Sequence, residues 1–245
     1  MTDVPASAVA WMDPARDSAG LRRARRRALT LAIVLLSAAA VLSVLTARSP
    51  TDPVTQGIDN WWMALVEHHR HEWLVNLSKA LSLIGSSIVM WPARFVAGAL
   101  LAARRRWLQL GAFVTALVLS ELCIGPLKAF IDRPRPPFPL VATSGAAFPS
   151  GHAIAAAVTS FGFVIAILPR GRRRVRWIAL ATSFSAAMAM SRTYLGAHWL
   201  TDTVAGACMG VGLALGVEVL FEQFRTDIAE IAELADIDVD ITPLR

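Results

Sequence analysis

The chain has 245 residues, 55% of them hydrophobic and 17% charged, against about a quarter charged in an ordinary soluble domain. With a mean hydropathy of +0.51 and several long apolar runs, this argues against a soluble domain and places the chain in the membrane class. The net charge of +6 lies largely in short arginine blocks at 22–27, 104–106 and 170–176, each beside an apolar run; membrane topology explains that placement and nucleic-acid binding does not.

Residues 1–21 are polar, rich in Ala, Asp and Pro, and read as disordered. Residues 28–47 are uncharged and reach the length of about 20 needed to cross a bilayer; with the basic run ahead of them they resemble a signal anchor rather than a cleaved peptide. Pro50, Pro53 and Gly57 mark a loop over 48–59. Residues 60–71 set Trp61, Trp62, Met63, Leu65 and Val66 among Glu67, His68, His69 and Arg70, a Trp-rich amphipathic pattern suited to the headgroup level. Residues 73–103 form a second apolar region interrupted by Lys79, Gly85, Pro92 and Arg94, read either as one long kinked helix or as two re-entrant halves. Lys79 either snorkels or touches substrate, and Arg94 is costly if it faces lipid. Further spans are expected at 107–127, 151–168, 177–190 and 199–220. The acidic tail beyond Phe221 carries Ile228, Ile231 and Leu234 at helical spacing and reads as a short surface helix.

The expected architecture is all-α: a bundle of six transmembrane helices with an interfacial helix in the first extracytoplasmic loop. A basic cytoplasmic segment (1–27) precedes the membrane domain (28–220), and an acidic cytoplasmic tail (221–245) follows it. Six alternating crossings bring the three arginine blocks to one side, which the positive-inside rule makes cytoplasmic together with both termini. The loops between spans one and two, three and four, and five and six then face outward.

Those outward loops gather the chemistry. Lys128 ends the third span and is followed, after six residues, by Arg135-Pro136. Pro149-Ser150-Gly151-His152 opens the fourth span, and Ser191-Arg192, His198 and Asp202 lie where the fifth meets the sixth. Lys128, Arg135 and Arg192 are cations able to surround a phosphate, the arginines in bidentate fashion. Ser150 and Gly151 stand at a helix start, where free N–H groups and the helix dipole favour an anion. Asp202 follows His198 by four residues, so on a helix the two share a face. A carboxylate there can hold one ring nitrogen and leave the other to attack, while His152 can protonate a departing oxygen. Asp132 and Arg133 form either a local ion pair or a headgroup contact.

Each piece alone has an ordinary explanation: anchoring charges at a helix end, a helix start, an i,i+4 pair. Their conjunction on one membrane face, by a topology drawn without them, is what points to a site. His68, His69 and His71 read as interfacial residues rather than metal ligands, and Cys123 and Cys208, without paired spacing, as small buried residues.

The three motifs, their order and their placement resemble the type 2 phosphatidic acid phosphatase family, lipid phosphatases related to vanadium haloperoxidases. The match covers Lys128, Arg135, Pro136, Pro149, Ser150, Gly151, His152, Ser191, Arg192, His198 and Asp202. The resemblance implies that His198 is the nucleophile, Asp202 its orienting partner and His152 the acid and base. It also implies that Lys128, Arg135, Ser150, Gly151 and Arg192 bind phosphate, with no metal and no other cofactor. The expected partner is a membrane lipid phosphate in the bilayer, with no nucleic acid. Undecaprenyl or another polyprenyl diphosphate is the leading substrate; phosphatidic acid and phosphatidylglycerol phosphate are the alternatives. The rival readings are a haloperoxidase, whose known members are soluble, and a non-enzymatic lipid-binding or transport protein.

Overall fold

The computed structural model describes residues 14–234; the expectations for the extreme N-terminal segment and the end of the acidic tail lie outside the described residues. Within them the chain forms eight helices and no strand: α1 (Pro14–Arg48), α2 (Gln56–His68), α3 (Glu72–Ile84), α4 (Ser87–Ala103), α5 (Trp107–Ile131), α6 (Gly151–Ile167), α7 (Arg172–Tyr194) and α8 (Leu200–Leu234).

Three of these are long and apolar enough to cross a membrane, within Gly20–Arg48, Trp107–Ile131 and Leu200–Ile228, or four if α3 and α4 count as one broken span. The first has the highest hydropathy of the three, yet only 11% of its most apolar window is buried inside the protein. Ile33, Val34, Phe95, Val96, Leu122 and Leu180 likewise point outward. A surface of this kind is stable against lipid and not against water. The chain is a multi-pass membrane protein.

Several boundaries differ from those expected. Proline suits a first helical turn, and α1 begins at Pro14, so the arginine block at 22–27 is helical. α8 does not stop near Leu220. No glycine or proline follows Gly216 before Pro243, and basic residues of α7 and of the turn before it neutralise the acidic residues there: Arg174 on α7 reaches Glu218 at 2.5 Å and Arg170 in the turn reaches Glu222 at 2.7 Å. The region 73–103 is broken between α3 and α4 by a 50° bend. The break falls at Gly85 rather than at Pro92, which lies inside α4. A Cβ at Gly85 would meet Met188 Sδ at 2.6 Å and His152 Cδ2 at 3.0 Å, so a glycine lets the turn pass close over α6 and α7.

α8 is the axis of the bundle and packs chiefly on α1 and α6. Gly206 and Gly210 repeat at four-residue spacing, the small-residue pattern that lets membrane helices approach closely. A Cβ on Gly206 would lie 2.7 Å from the Ser150 carbonyl; on Gly210 it would lie 2.7 Å from both Ala157 Cβ and the Ile154 carbonyl. This seam holds the start of α6 against the start of α8.

Gly210→Val should therefore lower the thermal unfolding midpoint in detergent, since the α6 backbone must move; overpacking of this kind costs about 1–3 kcal/mol. Gly125→Ala, whose added carbon meets nothing within 4 Å, should leave the midpoint unchanged or raise it slightly.

Candidate active site

The end of the bundle opposite the arginine blocks at 104–106 and 170–176 is built by the last turn of α5, the first turns of α6 and α8, and the last turn of α7. α5 stops at Asp132, which takes a left-handed conformation (φ 44°) that aspartate tolerates better than most residues. The chain then reads Arg133-Pro134-Arg135-Pro136. A residue before proline is held extended, and residues two apart in an extended chain face the same way. Both arginines accordingly run towards the start of α8.

Arg135 donates Nε to the Gly145 carbonyl (2.9 Å), Nη2 to the Ser144 (2.8 Å) and Ala146 (3.3 Å) carbonyls, and Nη1 to the Ala197 carbonyl (2.7 Å). Its Nη1 also lies 3.3 Å from His198 Nε2. Lys128 donates to the same Ala146 carbonyl at 2.5 Å. The two cations thus share one loop, 144–146. Burial, partly offset by Asp202, draws the Arg135 guanidinium below its usual value.

Ser150 caps α6. Its backbone N–H donates to the Asp202 carbonyl at 3.1 Å, and its buried hydroxyl finds no partner among the described residues. A Cβ at Gly151 would meet open space, and His152 sits beneath Gly85. On α7, Arg192 is buried and donates through Nη1 to Ser82 Oγ of α3, while its Nε is unpaired among the described residues. Ser191 turns back to the Met188 carbonyl of its own helix (2.7 Å). Gly196, at φ 62°, supplies the left-handed residue that ends α7 and turns the chain towards His198.

His198 is buried between two charges. Its Nδ1 stands 3.5 Å from Asp202 Oδ2 and its Nε2 faces Arg135. A guanidinium can only donate, so Nε2 presents its lone pair and the ring proton belongs on Nδ1, which faces the carboxylate at 3.5 Å without a hydrogen bond to it. Burial is the largest influence on this imidazole and brings it down to about 4, against the opposing pull of Asp202. Asp202 occupies the third position of α8, and its Oδ2 accepts the Trp199 N–H at 2.9 Å, the reach-back of a capping box. Lys128, Arg135, Ser150, Gly151, His152, Arg192, His198 and Asp202 are all brought to this one end of the bundle.

The sequence reading missed the partners beneath them. Arg133 pairs neither with Asp132 nor with solvent. It donates Nη1 to Asp202 Oδ1 (2.6 Å) and Thr201 Oγ1 (2.9 Å), and Nη2 to Asp59 Oδ2 (2.7 Å) and Gln56 Oε1 (2.8 Å). Asp59 also accepts from Thr201 N (2.9 Å) and Thr201 Oγ1 (2.7 Å). Asp59 and Gln56 belong to α2, over 70 residues from Arg133 in sequence, so no local pattern reveals them; the alternation of arginine and proline was the only signal for Arg133. Of the remaining charged residues singled out, Lys79 is exposed. Arg94 is buried and bonded to Glu121 (2.8 Å) and Thr159 (3.0 Å). His68 and His69 pack edge to face, and the Tyr194 hydroxyl accepts the His71 N–H at 2.8 Å and donates to the His69 carbonyl, tying the α2–α3 turn to α7.

The helical membrane bundle and the three motif segments at one end of it define a membrane-integral phosphatase. The chain belongs to the PAP2 superfamily, whose sequence model matches residues 109–225; phosphatases of this family hydrolyse lipid phosphate esters, and this protein is an enzyme of that class. It is 31% identical over 166 residues to phosphatidylglycerophosphatase B of Bacillus subtilis, covering 64% of this chain and 79% of the relative. It is 32% identical over 136 residues to decaprenylphosphoryl-5-phosphoribose phosphatase of Mycolicibacterium smegmatis, covering 53% and 69%. Its fold matches the crystal structure of a transmembrane PAP2-type phosphatidylglycerolphosphate phosphatase from Bacillus subtilis with a TM-score of 0.68 and 25% identity, over 80% of this chain and 96% of that one. Aquifex aeolicus LpxE shares the fold at a TM-score of 0.52 and 22% identity, over 64% and 92%.

Arg135→Lys keeps the charge but cannot satisfy four carbonyls and a ring nitrogen. Of these carbonyls only those of Ala146 and Ala197 are partly buried, and a buried carbonyl left without a donor costs about 1–3 kcal/mol, so the variant should show faster amide hydrogen exchange over 144–147 and a lower thermal midpoint.

Proposed function

We propose that this enzyme removes the terminal phosphate of a membrane lipid through a phosphohistidine on His198. The observation that carries the reading is the setting of His198: a carboxylate beside Nδ1 and an arginine, able only to donate, beside Nε2. Nε2 attacks phosphorus, and the bond from phosphorus to the lipid oxygen breaks. The departing oxygen takes a proton from His152. Water then attacks the phosphohistidine, giving its proton to His152, and phosphate leaves with His198 restored. Asp202 orients the ring and offsets the positive charge that it gains. Lys128, Arg135, Arg192, the Ser150 hydroxyl and the first N–H groups of α6 stabilise the phosphoryl oxygens; the unpaired donors on Ser150 and Arg192 support that role. These residues supply the positive charge that the transfer requires, and the mechanism draws on no metal or other cofactor.

The site belongs at the extracytoplasmic face of six spans, with both termini cytoplasmic, the membrane domain over 28–220 and the acidic tail over 221–245. In this arrangement α3 and α4 make one broken span, α6 and α7 complete the count, and α2 lies at the interface. The arginine blocks at the far end support the orientation. In an α6/α7 topology test, Ala142→Cys should react with a membrane-impermeant maleimide in intact cells and Arg172→Cys only after permeabilisation, both in a background lacking Cys123 and Cys208. The reverse pattern would invert the topology.

Phosphatidylglycerol phosphate is the first substrate to test, because a relative that this chain covers over 79% of its length is named for it. A polyprenyl phosphate or diphosphate is the second, favoured by the decaprenyl-linked substrate in the name of the other relative. Phosphatidic acid completes the panel. Phosphate release should favour one lipid class and fall by about 10³-fold or more in His198→Ala. Protonated His198 cannot attack, and its midpoint is held at about 4. The acid limb of kcat/KM set by His198 should therefore lie below the ordinary histidine range, with activity lost as pH falls through that midpoint. A limb near the ordinary histidine value of about 6.5 would remove His198 as a buried neutral nucleophile.

A further inference from the structure

Asp202 divides its carboxylate. Oδ1 receives Arg133 at 2.6 Å, while Oδ2 receives the Trp199 N–H and faces His198. Arg133 divides its guanidinium in turn, Nη1 to Asp202 and Nη2 to Asp59. All three side chains have no solvent-exposed surface, and the Arg133 guanidinium also lies 5.4 Å from the centre of the Trp199 ring. A lone Arg133–Asp202 pair would be neutral, and Asp202 would have little charge left for the imidazole. With Asp59 added, two carboxylates share one cation and the buried group keeps one net negative charge beside His198.

We propose that Arg133 and Asp59 are positioning residues for phosphoryl transfer, acting on His198 through Asp202. Arg133 fixes the rotamer of Asp202, so that Oδ2 stays turned to the ring. Asp59 balances Arg133, so that the fixed carboxylate retains its charge. The demand for both is greatest when Nε2 has bonded to phosphorus and the ring is cationic, a state made only during the reaction. Asp59 does a second task with the same carboxylate: it accepts Thr201 N–H at the N-terminus of α8, where a negative charge suits the helix dipole. The interface helix α2 is thereby wired to the catalytic end of α8. The proposal rests on the reading that His198 attacks and Asp202 orients it.

The remaining charged groups around His198 stay constant in the test: Arg135 on the loop, Arg192 on α7 and His152 on α6, with Lys128 on α5 near Arg135 and Asp202. Full-length protein in detergent would be assayed on dioctanoyl phosphatidic acid and dioctanoyl phosphatidylglycerol phosphate as wild type, D59N, R133Q, D59N/R133Q and H198A. Folding would be checked by gel filtration and thermal midpoint. D59N should lower kcat by about 10- to 100-fold, the range typical of groups that orient a catalytic ligand, with KM within about twofold. R133Q should lower kcat likewise and move the acid limb to higher pH, because a cation has left the neighbourhood; in D59N the limb should not rise. The double variant should be no slower than the slower single variant, as expected for groups acting as one unit.

Folded D59N with kcat within about twofold of wild type would overturn the proposal, as would effects that add fully in the double variant. If R133Q alone fails to fold, D59N and the double variant, which leaves no buried carboxylate pair facing each other, decide the matter. H198A as active as wild type would instead remove the nucleophile reading, and this proposal with it.

Discussion

Asp202 is the point on which the motif-bearing end of the molecule depends. Its backbone carbonyl accepts the Ser150 N–H, its Oδ2 closes the first turn of α8 on Trp199, and its Oδ1 receives Arg133. One residue therefore joins the start of α6, the end of α5 and the turn from α7. A buried carboxylate without partners is expensive, so the chain satisfies it fully, and the satisfaction registers three sequence segments against one another. His198 inherits its place from that registration.

The same logic explains why small residues lie where they do. Gly206 and Gly210 bring α8 against α6 at backbone contact, which sets the distance between Ser150 and Asp202. Gly85 admits the α3–α4 turn over His152, and Ser82, just before it, holds Arg192. Lipid offers little driving force for one helix to pack on another, so close backbone approach and buried polar contacts determine the arrangement. The end carrying the arginine blocks is braced differently, by Arg170–Glu222, Arg174–Glu218 and the hold of Arg106 on the last carbonyls of α6.

Loop 144–146 is where charge and backbone meet. Its carbonyls take up Lys128 and Arg135 together, although two neighbouring cations would otherwise repel. Carbonyl dipoles hold them side by side without neutralising them, leaving positive charge that can act on an anion. Carboxylates in those positions would have cancelled it. The acidic partners are instead kept one layer below, on Arg133, and Arg135 faces His198.

The sequence by itself determined the apolar spans, the arginine blocks and the three motifs, because each is a local property: length, charge and spacing along a few residues. His198 and Asp202 could be paired from four-residue spacing, and Ser150 recognised as a helix start, for the same reason. Helix ends were less legible. α8 runs past Leu220 because its glutamates meet arginines of α7 and of the turn before it, and the 73–103 region breaks at Gly85 because Met188 and His152 leave no room for a side chain. The pairing of Arg133 with Asp59 was beyond sequence reasoning. Their partnership spans 74 positions and exists only once α2 folds down on α8, where burial leaves the two carboxylates and the guanidinium to one another and to Gln56, Thr201 and the Trp199 N–H.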